Sequence, residues 1–218
     1  MDHAAAYERS YKRTRELLSD DVANVPVPTT PGWTVKDVVA HQAGFFTAYA
    51  SGEGQAAFSD GWADRQVEQR GDRSLEECVA EWDSLMKEHG DMFESPLGRV
   101  AVADVLAHEQ DIRNALGKPG ARDDENIVPS IEMALSFLEP KAKEGNLPTL
   151  RIVTDDLDKK IGDGEPAATL RTSTFELFRT LHGRRTLDQM RRMEWEGDPG
   201  PWLESLFIFG PTEEEVER

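Results

Sequence analysis

The sequence predicts an α+β chain: an all-helical part over about residues 1–145, then a small mixed α/β domain over 146–218. Two observations carry this. Up to Gly145 the apolar residues recur at helical spacing. After it, "LPTLRIVTDDLDKKIGDGEPAATLRTS" has short alternating or β-branched runs, parted by Asp-Asp and Gly-Asp-Gly turns. The 218 residues suffice for one large domain or two smaller ones.

The helices follow in order. Residues 5–19 set Tyr7, Tyr11, Leu17 and Leu18 among charges at helical spacing. "NVPVPTTPGW", residues 24–33, is a Pro-rich loop that ends this helix. Thr34 then serves as N-cap with Asp37 three residues on, a relative of the capping box. The helix behind it places Val35, Val38, Val39, Phe45, Phe46 and Tyr49 on one face, with His41 on the flank. "SGEGQAAFSDG" is a Gly-rich connector. A third helix spans about 73–93 through Leu75, Val79, Trp82, Leu85 and Met86, and a fourth spans 101–116, closed by Gly117 and Pro119. A fifth begins at Ile127. In the second part the strand-like runs read as a hairpin or meander. "TFELFRTLHGRR" is a short helix ending at Gly183, and "MEWEGDPGPWLESLFIFG" adds a strand and a short helix. "TEEEVER" reads as a disordered acidic tail.

Composition removes several function classes. With 42 acidic against 25 basic residues the net charge is −17, which repels a phosphate backbone and argues against nucleic acid as a partner. The basic stretch "HGRRTLDQMRR", 182–192, leaves room for a small anionic ligand. Mean hydropathy is −0.58, and no apolar run approaches the roughly 18 residues of a membrane helix. The start carries no apolar leader core, so a cytoplasmic location is expected. The single cysteine, Cys78, reads as a small buried helix residue. It can form no internal disulfide, and without a Cys-x-x-Cys pair a thiolate zinc site is excluded.

One stretch carries chemistry. In "VADVLAHEQDIRNALG", 102–117, Asp104, His108 and Asp111 fall within roughly 60° of one another on the helix. They border the apolar sector of Ala101, Val105, Ile112 and Leu116, where a solvated face would lie opposite. An aspartate and a histidine four apart present one oxygen and one nitrogen to a common point. A histidine from a neighbouring helix would complete three ligands and leave a position open, a set suited to Zn²⁺ or a similar ion. His41 is the candidate, because His3, His89 and His182 lie in polar or terminal contexts. Asp111 either orients a ligand or pairs with Arg15 or another surface cation.

"PGWTVKDVVAHQAG", "DVLAHEQDIRNALG" and "TDDLDKKIGDGEP…TFELFRTLHGRR" occur in the order seen in the mycothiol-dependent maleylpyruvate isomerase family, and the chain resembles that family from about residue 5 to 205. The resemblance implies a DinB-like, up-and-down four-helix bundle followed by the small α/β domain. It implies His41, Asp104 and His108 as ligands of a divalent metal, zinc foremost; members commonly carry glutamate where this chain has Asp104. It marks Asp111, and Arg184 of the Gly183-Arg184 pair, as catalytic, with Arg184 also contacting the thiol cofactor or substrate. The function implied is a metal-dependent enzyme that uses a low-molecular-weight thiol such as mycothiol for isomerisation or S-transfer on a small electrophile. A non-catalytic metal- or ligand-binding stress-response module and a metal-assisted hydrolase are the alternatives.

Overall fold

The computed structural model describes residues 2–53, 59 and 61–215. The chain divides into two compact units, residues 1–120 and 121–218. The Gly-rich connector and the end of the acidic tail lie mostly outside the described residues.

The first unit holds helices α1 (His3–Arg15), α2 (Val35–Ala50), α3 (Trp62–Glu68), α4 (Leu75–Glu88) and α5 (Leu97–Ala115). The four longer ones form the up-and-down bundle, α1 packing on α5 and α2 on α4, with α2 also touching α5. Local signals set the starts. The Thr34 side chain accepts from Asp37 N while Asp37 accepts from Thr34 N, and Ser74 and Glu77 do the same for α4. Each box satisfies two orphan donors of a helix start. The core draws on Tyr7, Val39, Phe46, Trp82, Val105 and Leu106, all nearly inaccessible to solvent. Cys78 is buried on α4 as expected, and burial pushes its thiol pKa up.

The Pro-rich loop before α2 is ordered by its own ladder. Val27 N donates to Trp33 O, and Val35 N to Val25 O. Its apolar residues join a cluster of Leu17, Val27, Val35, Val38 and Ile112. The loop thereby holds Thr29 and Trp33 against α2 and α5. The sequence expectation has no counterpart of α3, a short helix that packs on α2. α3 covers His41, through Gln66 and Trp62, so this residue is buried rather than flanking.

The second unit holds α6 (Ile127–Glu144), β1 (Leu150–Val153), β2 (Asp158–Ile161), β3 (Ala168–Arg171), α7 (Thr174–Leu181), α8 (Leu187–Arg191), β4 (Glu194–Gly197) and α9 (Gly200–Leu203). The sheet order is β2-β1-β3-β4. β1 is antiparallel to β2 and parallel to β3, with Leu150 opposite both Ile161 and Ala168. A simple meander is therefore ruled out: after β2 the chain turns under the start of β1 and emerges on its other side. Gly162 permits that turn at φ +98°, and a Cβ there would sit 2.7 Å from Thr149 Oγ1. Buried Leu150, Ile152 and Leu170 form the sheet's inner face.

All six leading helices precede the strands, the order expected of a bundle followed by a mixed α/β part. The change of periodicity near Gly145 and the division of the compact units at Gly120 differ by one helix. α6 is helical in pattern, yet it packs on α7 and β2 and so lies with the sheet. Periodicity reports the type of an element and not the partner that covers its apolar face.

Candidate metal centre

Facing stretches of α2 and α5 bring His41, Asp104 and His108 together. His41 Nε2 lies 3.5 Å from Asp104 Oδ2, and His108 Nε2 lies 3.6 Å from Asp104 Oδ1. The three ligand atoms fall within 4.8 Å of one another. Atoms bound tetrahedrally to one cation at about 2.1 Å stand about 3.4 Å apart. The aspartate therefore reaches the cluster although it is one methylene shorter than glutamate. Both imidazoles are buried, while the Asp104 side chain keeps 24% exposure.

The outer nitrogens explain what the inner ones present. His41 Nδ1 is 2.7 Å from Gln66 Oε1. His108 Nδ1 is 3.0 Å from Asp111 Oδ2, close but without the alignment of a full hydrogen bond. Both neighbours are acceptors, so in a neutral ring they favour the proton on Nδ1, which leaves the Nε2 lone pair facing the carboxylate. Three facing acceptors repel one another unless a cation stands among them. Burial works to raise the Asp104 carboxyl pKa, but His108 and His41 in their protonated form, together with the Gln42 amide, outweigh it and hold it well below the ordinary carboxylate range, so positive charge facing Asp104 stabilises its anion. Asp104 is thus an anion, and the three residues form a cluster able to hold a metal ion.

Asp111 is fully buried and accepts from Thr29 Oγ1 at 2.8 Å. Of the two roles open to it in the sequence, this geometry matches that of orienting His108. Gln42 Nε2 donates to Asp104 Oδ2 at 2.6 Å and Gln42 Oε1 accepts from Tyr7. Trp33 stacks over His108 at 6.2 Å and lies 5.3 Å from His41, while Trp62 meets His41 edge-on at 5.8 Å. Sequence reasoning missed Gln42, Gln66, Thr29 and both tryptophans. Gln42 alone had a signal, as an amide beside His41 inside an apolar helix.

Arg184 lies in the second unit, just past α7. It is half-buried, and its Nη1 donates to His182 O at 2.5 Å. His182, expected in a polar context, is buried with Nδ1 donating to Phe178 O. Much of the basic stretch is paired within its own unit, Arg185 to Glu176, Arg191 to Asp188 and Arg192 to Glu215. No described helix is long and apolar enough to cross a membrane.

Residues 4–95 match the family model described as the mycothiol maleylpyruvate isomerase N-terminal domain. A solved structure, titled the crystal structure of the mycothiol-dependent maleylpyruvate isomerase, superposes with a TM-score of 0.52. The two share 12% identity over 84% of this chain and 88% of that one. No curated protein matches the sequence significantly. The matched segment contains His41, while Asp104 and His108 lie beyond it. By sequence, residues 4–95 match the N-terminal domain of the mycothiol-dependent maleylpyruvate isomerase family, and in overall fold the chain is similar to the isomerase structure.

Proposed function

We propose that this protein is a metal-dependent enzyme that uses a low-molecular-weight thiol, mycothiol or a close analogue, for isomerisation or S-transfer on a small electrophile. The observation that carries the reading is the convergence of His41 Nε2, Asp104 and His108 Nε2 as three facing acceptors. A divalent cation held there, zinc foremost, would lower the pKa of a thiol that reached its open position.

The chain's own residues do the rest. Asp104, anionic and oriented by Gln42, supplies the negative charge that a divalent ion needs. Asp111, anchored by Thr29, holds the His108 ring and keeps its proton on Nδ1. Its burial also makes it the candidate for proton transfer to or from the site. Arg184 is assigned, on the resemblance, to gripping a carboxylate of thiol or substrate.

The test begins with metal content and ends with sulfur. Protein purified without chelator is expected to carry about one equivalent of zinc or a similar ion, and His108→Ala to carry none, since two ligands hold an ion poorly. Mycothiol added to zinc-loaded protein is expected to raise the melting temperature, and its des-thiol analogue to do much less. With Co²⁺ in place of zinc, a sulfur-to-metal charge-transfer band should appear only with the thiol. A wild type that stays metal-free after reloading overturns the metal site. Equal shifts with and without sulfur overturn thiol use and favour a hydrolase or a non-catalytic module.

A further inference from the structure

α3 carries the buried group that points to a further role. Gln66 is 5% exposed, its Oε1 sits 2.7 Å from His41 Nδ1, and its Nε2 has no hydrogen-bond partner. A leucine would fill the same space without burying an unsatisfied amide, so packing alone does not account for a glutamine here. What the amide adds is an acceptor aimed at one nitrogen of one ligand.

The surroundings are arranged to deliver it. Gly44 lies one helical turn after His41 on α2. A Cβ there would stand 2.5 Å from Gln66 Cβ, so the missing side chain is the notch that lets α3 approach. Arg70, just past α3 and itself buried, donates to Gln66 O, to Thr47 Oγ1 on α2 and to Glu81 on α4. Trp33 Nε1 donates to Asp64 on the same short helix. These contacts fix α3 to the bundle, and Trp62 holds the edge of the His41 ring.

We propose that Gln66 is a positioning residue for the metal centre: seated in the Gly44 notch, it keeps the proton of His41 on Nδ1 and leaves Nε2 free as a ligand. Without it, Nε2 would take the proton and donate toward Asp104, 3.5 Å away, and a cation would have to displace that proton before binding. This rests on the metal-site reading above, and its test separates the two.

Nitrogen-15 spectra of metal-free protein at about pH 9, where imidazoles are neutral, read the tautomer directly. The wild type is expected to show His41 protonated on Nδ1. Gln66→Leu should move the proton wholly or partly to Nε2, and Gln66→Glu, which keeps an acceptor, should restore the wild-type pattern. Zinc affinity, measured by competition with a chromophoric chelator, should fall roughly 10- to 100-fold in Gln66→Leu and only a few-fold at most in Gln66→Glu. Gly44→Ala, which pushes α3 away, should reproduce the Gln66→Leu tautomer. A wild-type His41 protonated on Nε2, or a Gln66→Leu variant with unchanged tautomer, overturns the proposal. If the wild type binds no zinc, the metal reading falls while the spectra still decide the role of Gln66.

Discussion

Gln42 Nε2 lies 2.6 Å from Asp104 Oδ2, the shortest link in a chain that runs through the bundle core. Trp82 Nε1 donates to the Tyr7 hydroxyl at 2.8 Å, Tyr7 donates to Gln42 Oε1 at 3.1 Å, and Gln42 donates to the carboxylate. Each donor fixes the next, so the network admits a single orientation of the Gln42 amide. Burial raises the Tyr7 pKa well above the ordinary phenol value, which keeps the hydroxyl a donor. Three helices, α1, α2 and α4, thus act on one carboxylate of α5.

Tyr7→Phe breaks the chain at its middle. It leaves the Trp82 indole N–H and Gln42 Oε1 buried without partners, which is expected to cost about 1–3 kcal/mol. Urea unfolding followed by tryptophan fluorescence measures it. A neutral result would show that water or a rearranged partner satisfies both groups.

Glu109, adjacent to His108, makes a separate prediction. Its side chain has no exposure, and it accepts from Ser10 Oγ, from the Arg13 guanidinium and from Arg113 Nε at 2.9 Å. The cluster ties α1 to α5, and removing the acid takes away the acceptor that Arg13 and Arg113 share. Glu109→Ala is expected to lose about 1–3 kcal/mol of stability, since the hydrogen bonds to a buried charged acceptor are lost while both cations keep access to water or other partners. A loss below 1 kcal/mol would place these pairs with surface ion pairs.

Gly183 separates backbone need from chemistry in the Gly-Arg pair. It sits at φ +78°, and a Cβ would meet Gly210 O at 2.5 Å. Gly183→Ala should therefore destabilise the second unit by about 1–2 kcal/mol or more. Arg184→Ala removes a half-buried side chain and its bond to His182 O and is expected to cost about 1 kcal/mol while lowering thiol- or substrate-dependent turnover. If Arg184→Ala leaves turnover intact, its assigned grip on a carboxylate is wrong.

Acid should act on the second unit through Glu176. Burial works to raise this carboxyl, but the two hydrogen bonds and charge of Arg185, each bond 2.7 Å, outweigh it and lower the pKa. The unfolded chain then takes up the proton first, at about pH 4.3. The stabilisation is complete above that value and disappears as the pH falls through the lower folded pKa. Thermal melts of wild type and Glu176→Gln should differ most near neutrality and converge in acid. Parallel curves from pH 7 to pH 3 would refute the coupling.

The fold class was legible because its signals are local. Thr34 and Asp37 cap α2 whatever packs on it, and the spacing of Val35, Val38 and Val39 marks a helix face in any fold. Asp104 and His108 could be read as a pair because four residues is one helical turn, and His41 because few histidines lie inside an apolar run. α3 escaped notice because seven residues hold too few turns for a periodic pattern. The parallel pairing of β1 with β3 was equally hidden, since alternation marks a strand and not its neighbour.

Residue order alone marked the longer helices, the change from helices to strands, and three side chains as candidates to take a metal. Only the tertiary structure decided that α6 lies with the sheet, that Thr29 reaches Asp111, and that Gln42 and Gln66 hold the ligands in place. The physical reason is the range of each interaction. Capping and periodicity act over a few residues of one chain segment, whereas the hydrogen bonds that orient Asp104 and His41 join residues 62 and 25 positions apart. Such bonds exist only once the helices have packed.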